Sequence, residues 1–133
     1  MTTLQVGSPA PDFTLEGVLQ DGSFHKISLS DYSGKWLVFF FYPLDFTFVC
    51  PTEITGFSKR LAEFKELGAE ILGASTDSTY SHREWINSSL GKITYPLLAD
   101  PTHVVSREYG VLLEHLGHTL RGLFIIDPDG ILR

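Results

Sequence analysis

The chain has 133 residues, 43% apolar and 20% charged, enough for one soluble domain with a core of its own. A formal charge of −6, with no lysine–arginine cluster, excludes a charge-driven nucleic-acid surface. A single cysteine excludes both an internal disulfide framework and a thiolate-rich zinc site. The start, Met1-Thr2-Thr3-Leu4-Gln5-Val6-Gly7, lacks the basic stretch and apolar run of a signal peptide. The longest apolar run, residues 36–42, falls far short of the ~20 residues of a membrane helix. The expectation is a soluble, cytoplasmic protein with neither membrane nor nucleic-acid partners.

An irregular Gly7-Ser8-Pro9-Ala10-Pro11 segment leads into residues 12–29, whose short alternating pieces around Gln20-Asp21-Gly22-Ser23 predict a hairpin. Residues 36–42 (Trp-Leu-Val-Phe-Phe-Phe-Tyr), closed by Pro43, predict a strand buried on both faces. The period then changes. Ile54, Phe57, Leu61 and Phe64 share one helix face, and Gly68 marks the stop. Residues 70–75 predict a strand. Ser78 or Thr79 caps a helix carrying Trp85 and Ile86, with Trp85 read as packing. A strand at 95–99 follows, then a short helix opened by Asp100-Pro101-Thr102 and running to Glu108, with a stop near Gly110. A strand at 120–127 ends in the turn Asp127-Pro128-Asp129-Gly130, and a further strand begins at 131. Strands alternating with helices define an α/β fold around a largely buried sheet, read as one domain over residues 1–133.

Cys50 stands between the buried strand and the amphipathic helix. Pro51 follows it, and proline suits a first helical turn because its missing N–H would have no intrahelical partner there. A thiol at that place is met by free N–H groups and the positive end of the helix dipole, which favour the thiolate. The other reading of a lone cysteine is a small buried hydrophobe. His115 and His118, three apart, suit one helical face, but no third ligand is near, so no metal or cofactor is expected.

The residues around Cys50 separate the two readings. Pro43-Leu44-Asp45-Phe46-Thr47-Phe48-Val49-Cys50-Pro51-Thr52-Glu53 resembles the peroxidatic loop of peroxiredoxins, in particular the alkyl-hydroperoxide-reductase type of typical two-Cys enzymes. Pro9-Ala10-Pro11-Asp12-Phe13 is similar to the family's N-terminal motif. So are Ser75-Thr76-Asp77-Ser78 with His82 and Trp85, then Pro96 to Asp100, Tyr109-Gly110-Val111 and Arg121 to Asp127. The resemblance implies a thioredoxin-like fold, a central mixed sheet flanked by helices. It also implies a peroxidase in which Cys50 attacks hydrogen peroxide or an organic hydroperoxide and becomes a sulfenic acid.

Such chemistry needs a deprotonated sulfur, donors aimed at both oxygens, and shielding from water. Thr47, three residues before Cys50, offers a hydroxyl to thiolate or substrate. Arg121, by resemblance, reaches the same pocket as a fixed cation. Pro43 closes the strand and limits solvent. Glu53 orients Arg121 or completes a capping interaction at the helix start. Taken singly, each also has an ordinary structural reading: turn hydroxyl, surface cation, strand end and cap.

A thioredoxin-type dithiol enzyme would need Cys-x-x-Cys, and Glu53 occupies the fourth position. A non-catalytic, ring-forming, chaperone-like subunit is the alternative function. By resemblance the electron donor is a thioredoxin or a dedicated disulfide reductase, and the assembly is a homodimer or a ring of dimers, with Phe46 and Phe48 at a contact or internal. Ser88-Ser89-Leu90-Gly91-Lys92 lacks the Gly-Gly-Leu-Gly motif of overoxidation-sensitive relatives. The resolving cysteine of typical two-Cys members belongs to a C-terminal segment, so the expectation is a chain truncated at that end.

Overall fold

A computed structural model of the chain describes residues 4–45, 50–90 and 93–133, with the side chains at 50–53 and 89 outside the description. Strands β1 (Thr14–Val18) and β2 (Phe24–Ser28) form the predicted hairpin. At its turn Gly22 takes a φ of +85°, which a glycine adopts without strain, and its N–H donates to Leu19 O. A single 3-10 turn, Leu29–Tyr32, leads to β3 (Trp36–Phe41). Helices α1 (Cys50–Lys59) and α2 (Leu61–Glu66) follow, then β4 (Ala69–Ser75), α3 (Thr79–Trp85), β5 (Leu97–Ala99) and α4 (Val104–Glu108). A small hairpin, β6 (Leu112–Leu113) and β7 (His118–Thr119), precedes β8 (Gly122–Ile126).

The main sheet has the order β2-β1-β5-β4-β3-β8. β3, β4 and β5 run parallel, while β1 against β5 and β8 against β3 are antiparallel, so the sheet is mixed. β3 shows why the continuous apolar run is needed. Leu37, Phe39 and Phe41 join one buried cluster with Phe13, Leu72 and Tyr109. Val38, Phe40 and Tyr42 join another with Ile54, Leu61 and Trp85. Successive side chains point to opposite faces, and helices cover both: α1, α2 and α3 on one, α4 on the other. Each fully buried Phe on this strand contributes roughly 1.5–3 kcal/mol of transfer free energy. Trp36, 40% exposed, is the one residue of the run outside this pattern.

Several boundaries differ from the sequence expectation. The helix anticipated through Leu67 is two helices, because Arg60 adopts φ −104° and ψ 9° between them. Their apolar face is nonetheless the predicted one, and Gly68, at φ +76°, ends it. Ser78 caps α3 by accepting from Ser81 N, and the helix widens into a π turn at Ile86–Leu90. The helix expected from Asp100 begins instead at Val104, after His103 at φ +69°. Asp100 turns inward instead, and its buried carboxylate accepts from the N–H of Ser106 at 2.7 Å and from the Ser106 hydroxyl at 2.6 Å. Strand 120–127 is trimmed to Gly122–Ile126. The predicted turn after it is present, with Asp127 Oδ1 accepting from Asp129 N and Ile131 N. Ile131 and Leu132 form single bridges to Pro9 and Ile126 rather than a strand. The β6–β7 hairpin was not anticipated. It places His115 in its turn and His118 on β7, so the two do not share a helical face.

Candidate active site

β3 ends at Phe41, and Cys50 is the first described residue of α1 (Cys50–Lys59). Pro51 follows it on α1, and a proline suits a first helical turn, where backbone N–H groups lack intrahelical acceptors and the dipole end is positive. Glu53 is on the same turn, placed by its backbone alone. Thr47, like Phe46 and Phe48, lies outside the described residues, and so do Gly91 and Lys92. Pro43 is half-buried immediately after β3.

Arg121 arrives from the far end of the sequence by strand register. Phe41 pairs with Gly122 in the antiparallel β3–β8 ladder, so the next step brings Arg121 abreast of Tyr42, where the chain leaves the sheet towards Cys50. Arg121 is exposed and lines a surface concavity of about 290 Å³ with Phe40, Phe41, Gly122, Leu123 and Phe57 of α1. One concavity therefore joins Arg121 to α1, the helix that carries Cys50. Thr119, just upstream, fixes the same strand end by donating its hydroxyl to Tyr42 O at 3.0 Å.

Behind this end of β3 lies a polar network that the sequence reading did not assign. Tyr42 is wholly buried and donates its hydroxyl to Asp45 Oδ1 at 2.7 Å. Asp45 Oδ2 accepts from the Ser81 hydroxyl at 2.8 Å and meets His82 Nδ1 at 2.6 Å. The other ring nitrogen of His82, Nε2, lies 2.8 Å from Leu98 O, so it donates. Asp45 N donates in turn to Asp77 Oδ2 at 2.6 Å. Burial, and next the charge of Asp45, push the Tyr42 phenol well above its usual range and keep it a donor. Burial likewise raises the Asp77 carboxyl. The one sequence signal was His82 inside the motif that Ser75 begins. Its partner Asp45 is 37 residues away, and only the folded sheet brings them together.

A mixed six-stranded sheet with helices on both faces has the thioredoxin-like architecture, and the lone cysteine lies on the helix that follows β3, the neighbour of the edge strand β8. The sequence pattern of the AhpC/TSA family matches residues 6–133. Peroxiredoxin-1 of Gallus gallus is 56% identical over 133 residues, which cover 96% of this chain and 67% of that one. The reduced 2-Cys peroxiredoxin of Plasmodium vivax superposes with a TM-score of 0.92 at 41% identity, covering 96% of this chain and 81% of that one. Thioredoxin peroxidase I of Plasmodium yoelii gives 0.91 at 38% identity, covering 97% and 77%. The chain belongs to the AhpC/TSA family and, within it, to the peroxiredoxins, which are thiol peroxidases.

Proposed function

We propose that Cys50 is the peroxidatic residue of a single-domain enzyme that reduces hydrogen peroxide and organic hydroperoxides. The observation that carries this reading is Cys50 at the N-terminal end of the described part of α1, with Arg121 brought to the end of β3 from which the chain runs to it. In the reaction the Cys50 thiolate attacks the terminal oxygen of the hydroperoxide in line with the O–O bond. An S–O bond forms, the O–O bond breaks, and the electron pair leaves on the distal oxygen, which takes a proton to become water or an alcohol. Sulfur is oxidised to sulfenic acid, and that oxygen keeps its hydrogen. The N-terminal N–H groups of α1 favour the thiolate. Arg121 and the Thr47 hydroxyl supply donors to the two oxygens, and donors fixed before reaction need no reorganisation as charge develops. Pro43 screens the sulfur from bulk water. Glu53 orients Arg121 or caps the helix.

The sulfenic acid is returned to thiol by an outside thiol. The likeness to a protein named thioredoxin peroxidase supports a thioredoxin as donor. A related disulfide reductase fits the same chemistry. By family likeness the working state is a homodimer or a ring of dimers in the cytoplasm. Among the described residues no helix is long and apolar enough to cross a membrane. Peroxide consumption with a thiol donor, measured for the parent and for Cys50→Ser, tests the assignment. Loss of consumption in the folded variant is expected, and undiminished consumption overturns it.

A further inference from the structure

We propose that Asp45 and His82 are positioning residues for the reaction, fixing the chain where it leaves β3 on the way to Cys50. The inference rests on Cys50 being the peroxidatic residue. Asp45 is five residues before Cys50 and two before Thr47, and it is tied to three parts of the fold at once. Its carboxylate is held by Tyr42 at the end of β3 and by Ser81 and His82 of α3, and its N–H is held by Asp77 at the β4–α3 junction. His82 passes the restraint to β5 through Leu98 O. Both side chains of the pair are sealed from solvent, at 0% and 1% exposure.

The far side of the segment is tethered as well. Ile54, fully buried, has its carbonyl held by the Tyr95 hydroxyl at 2.6 Å. Two buried polar anchors therefore bracket residues 46–53, the stretch that contains Thr47 and Cys50. A buried carboxylate–imidazole pair is a poor source of net stability, since an apolar pair of equal volume commonly does as well. What a fully hydrogen-bonded network supplies is a fixed geometry, because its bonds are directional and mutually supporting, the Tyr42 hydroxyl lying 3.3 Å from His82 Nδ1 as well. In-line attack on a peroxide demands such geometry, whereas alkylation of the same sulfur by a small reagent does not.

The experiment compares, in the full chain, the second-order rate of Cys50 oxidation by hydrogen peroxide with its alkylation by iodoacetamide at a pH where the thiol is ionised. Misplacement of reacting groups by an ångström can cost about a hundredfold, so Asp45→Ala and Tyr42→Phe are expected to slow peroxide oxidation by about tenfold or more while alkylation stays within about twofold. Asp45→Asn recovers most of the loss, because its amide can donate to a neutral His82 Nδ1 while its carbonyl still accepts from Tyr42. Tyr42→Phe removes only one hydroxyl and decides the matter if Asp45→Ala does not fold. Parental peroxide rates in the folded variants overturn the proposal, and so does an equal fall in both reactions. Failure of the underlying reading has a different mark: peroxide consumption by the parent that persists in Cys50→Ser.

Discussion

Gly122 of β8 faces Phe41 of β3, and this pairing carries Arg121 to the point where the chain leaves the sheet for Cys50. A cation that is 71 residues from the thiol in sequence is thereby delivered by a ladder of backbone hydrogen bonds rather than by a loop. Arg121→Ala and Thr47→Val are each expected to lower the peroxide rate by ~10²–10³, the usual consequence of losing a donor aimed at developing charge. Thr47→Ser keeps the hydroxyl and most of the rate. Stopped-flow oxidation of Cys50, alongside thermal melting to show that each variant folds, checks both.

With Cys50 and Pro51 at the N-terminal end of the described part of α1, this thiol is expected to ionise more readily than a free one, since a helix N-terminus stabilises a thiolate. The alkylation rate with iodoacetamide, followed against pH, should inflect below the free-thiol range. An inflection at or above that range would show that the helix start exerts no such effect.

Gly73 in the middle of β4 leaves no room for a side chain. A Cβ there would lie 2.7 Å from Phe40 Cζ and 3.0 Å from Leu97 Cδ2, both in the buried cluster beneath α1. Gly73→Ala should therefore cost about 1–3 kcal/mol, the usual penalty of overpacking a dense core. Urea unfolding measures it.

Two carboxylates should respond to pH in opposite senses. Burial raises Asp77, so the native state binds its proton more tightly than the unfolded chain does. Its contribution is most favourable in acid and declines as pH rises through the folded value. Asp77→Asn, which still accepts from Asp45 N, should match or exceed the parent's stability at neutral pH and lose that advantage in acid. Asp127 is lowered, first by the Ile131 N–H and also by Arg133 and Asp129 N. Its contribution is present above the unfolded value of about 3.9 and fades as pH falls through the folded value, so Asp127→Ala should destabilise at neutral pH and cost progressively less in acid. Urea titrations of the three proteins at about pH 7 and about pH 4 give the comparison.

Much of this architecture is local and was legible in the residue order. The run at β3, the period of Ile54, Phe57, Leu61 and Phe64, the stop at Gly68 and the cap at Ser78 all act through neighbours within a turn or two. The break at Arg60 left no trace in composition. The β6–β7 strands are two residues each, too short for any period to emerge. Asp100 resembled a helix opener, yet the fold turns its carboxylate inward to Ser106. The Asp45–His82 pair is the clearest illegible feature, since each residue alone is an ordinary polar side chain and its role arises only where β3, β4, α3 and β5 converge.

The central claim is that peroxide is reduced by the Cys50 sulfur itself. The most direct measurement is one equivalent of hydrogen peroxide added to the reduced chain, followed by thiol titration and peptide-resolved mass spectrometry within the first turnover. The account predicts loss of the single titratable thiol and a gain of one oxygen on the peptide containing Cys50, replaced, when a dimedone-type reagent is present, by the thioether adduct that forms from the sulfenic acid with loss of water. Peroxide consumed while Cys50 remains a free thiol would contradict it.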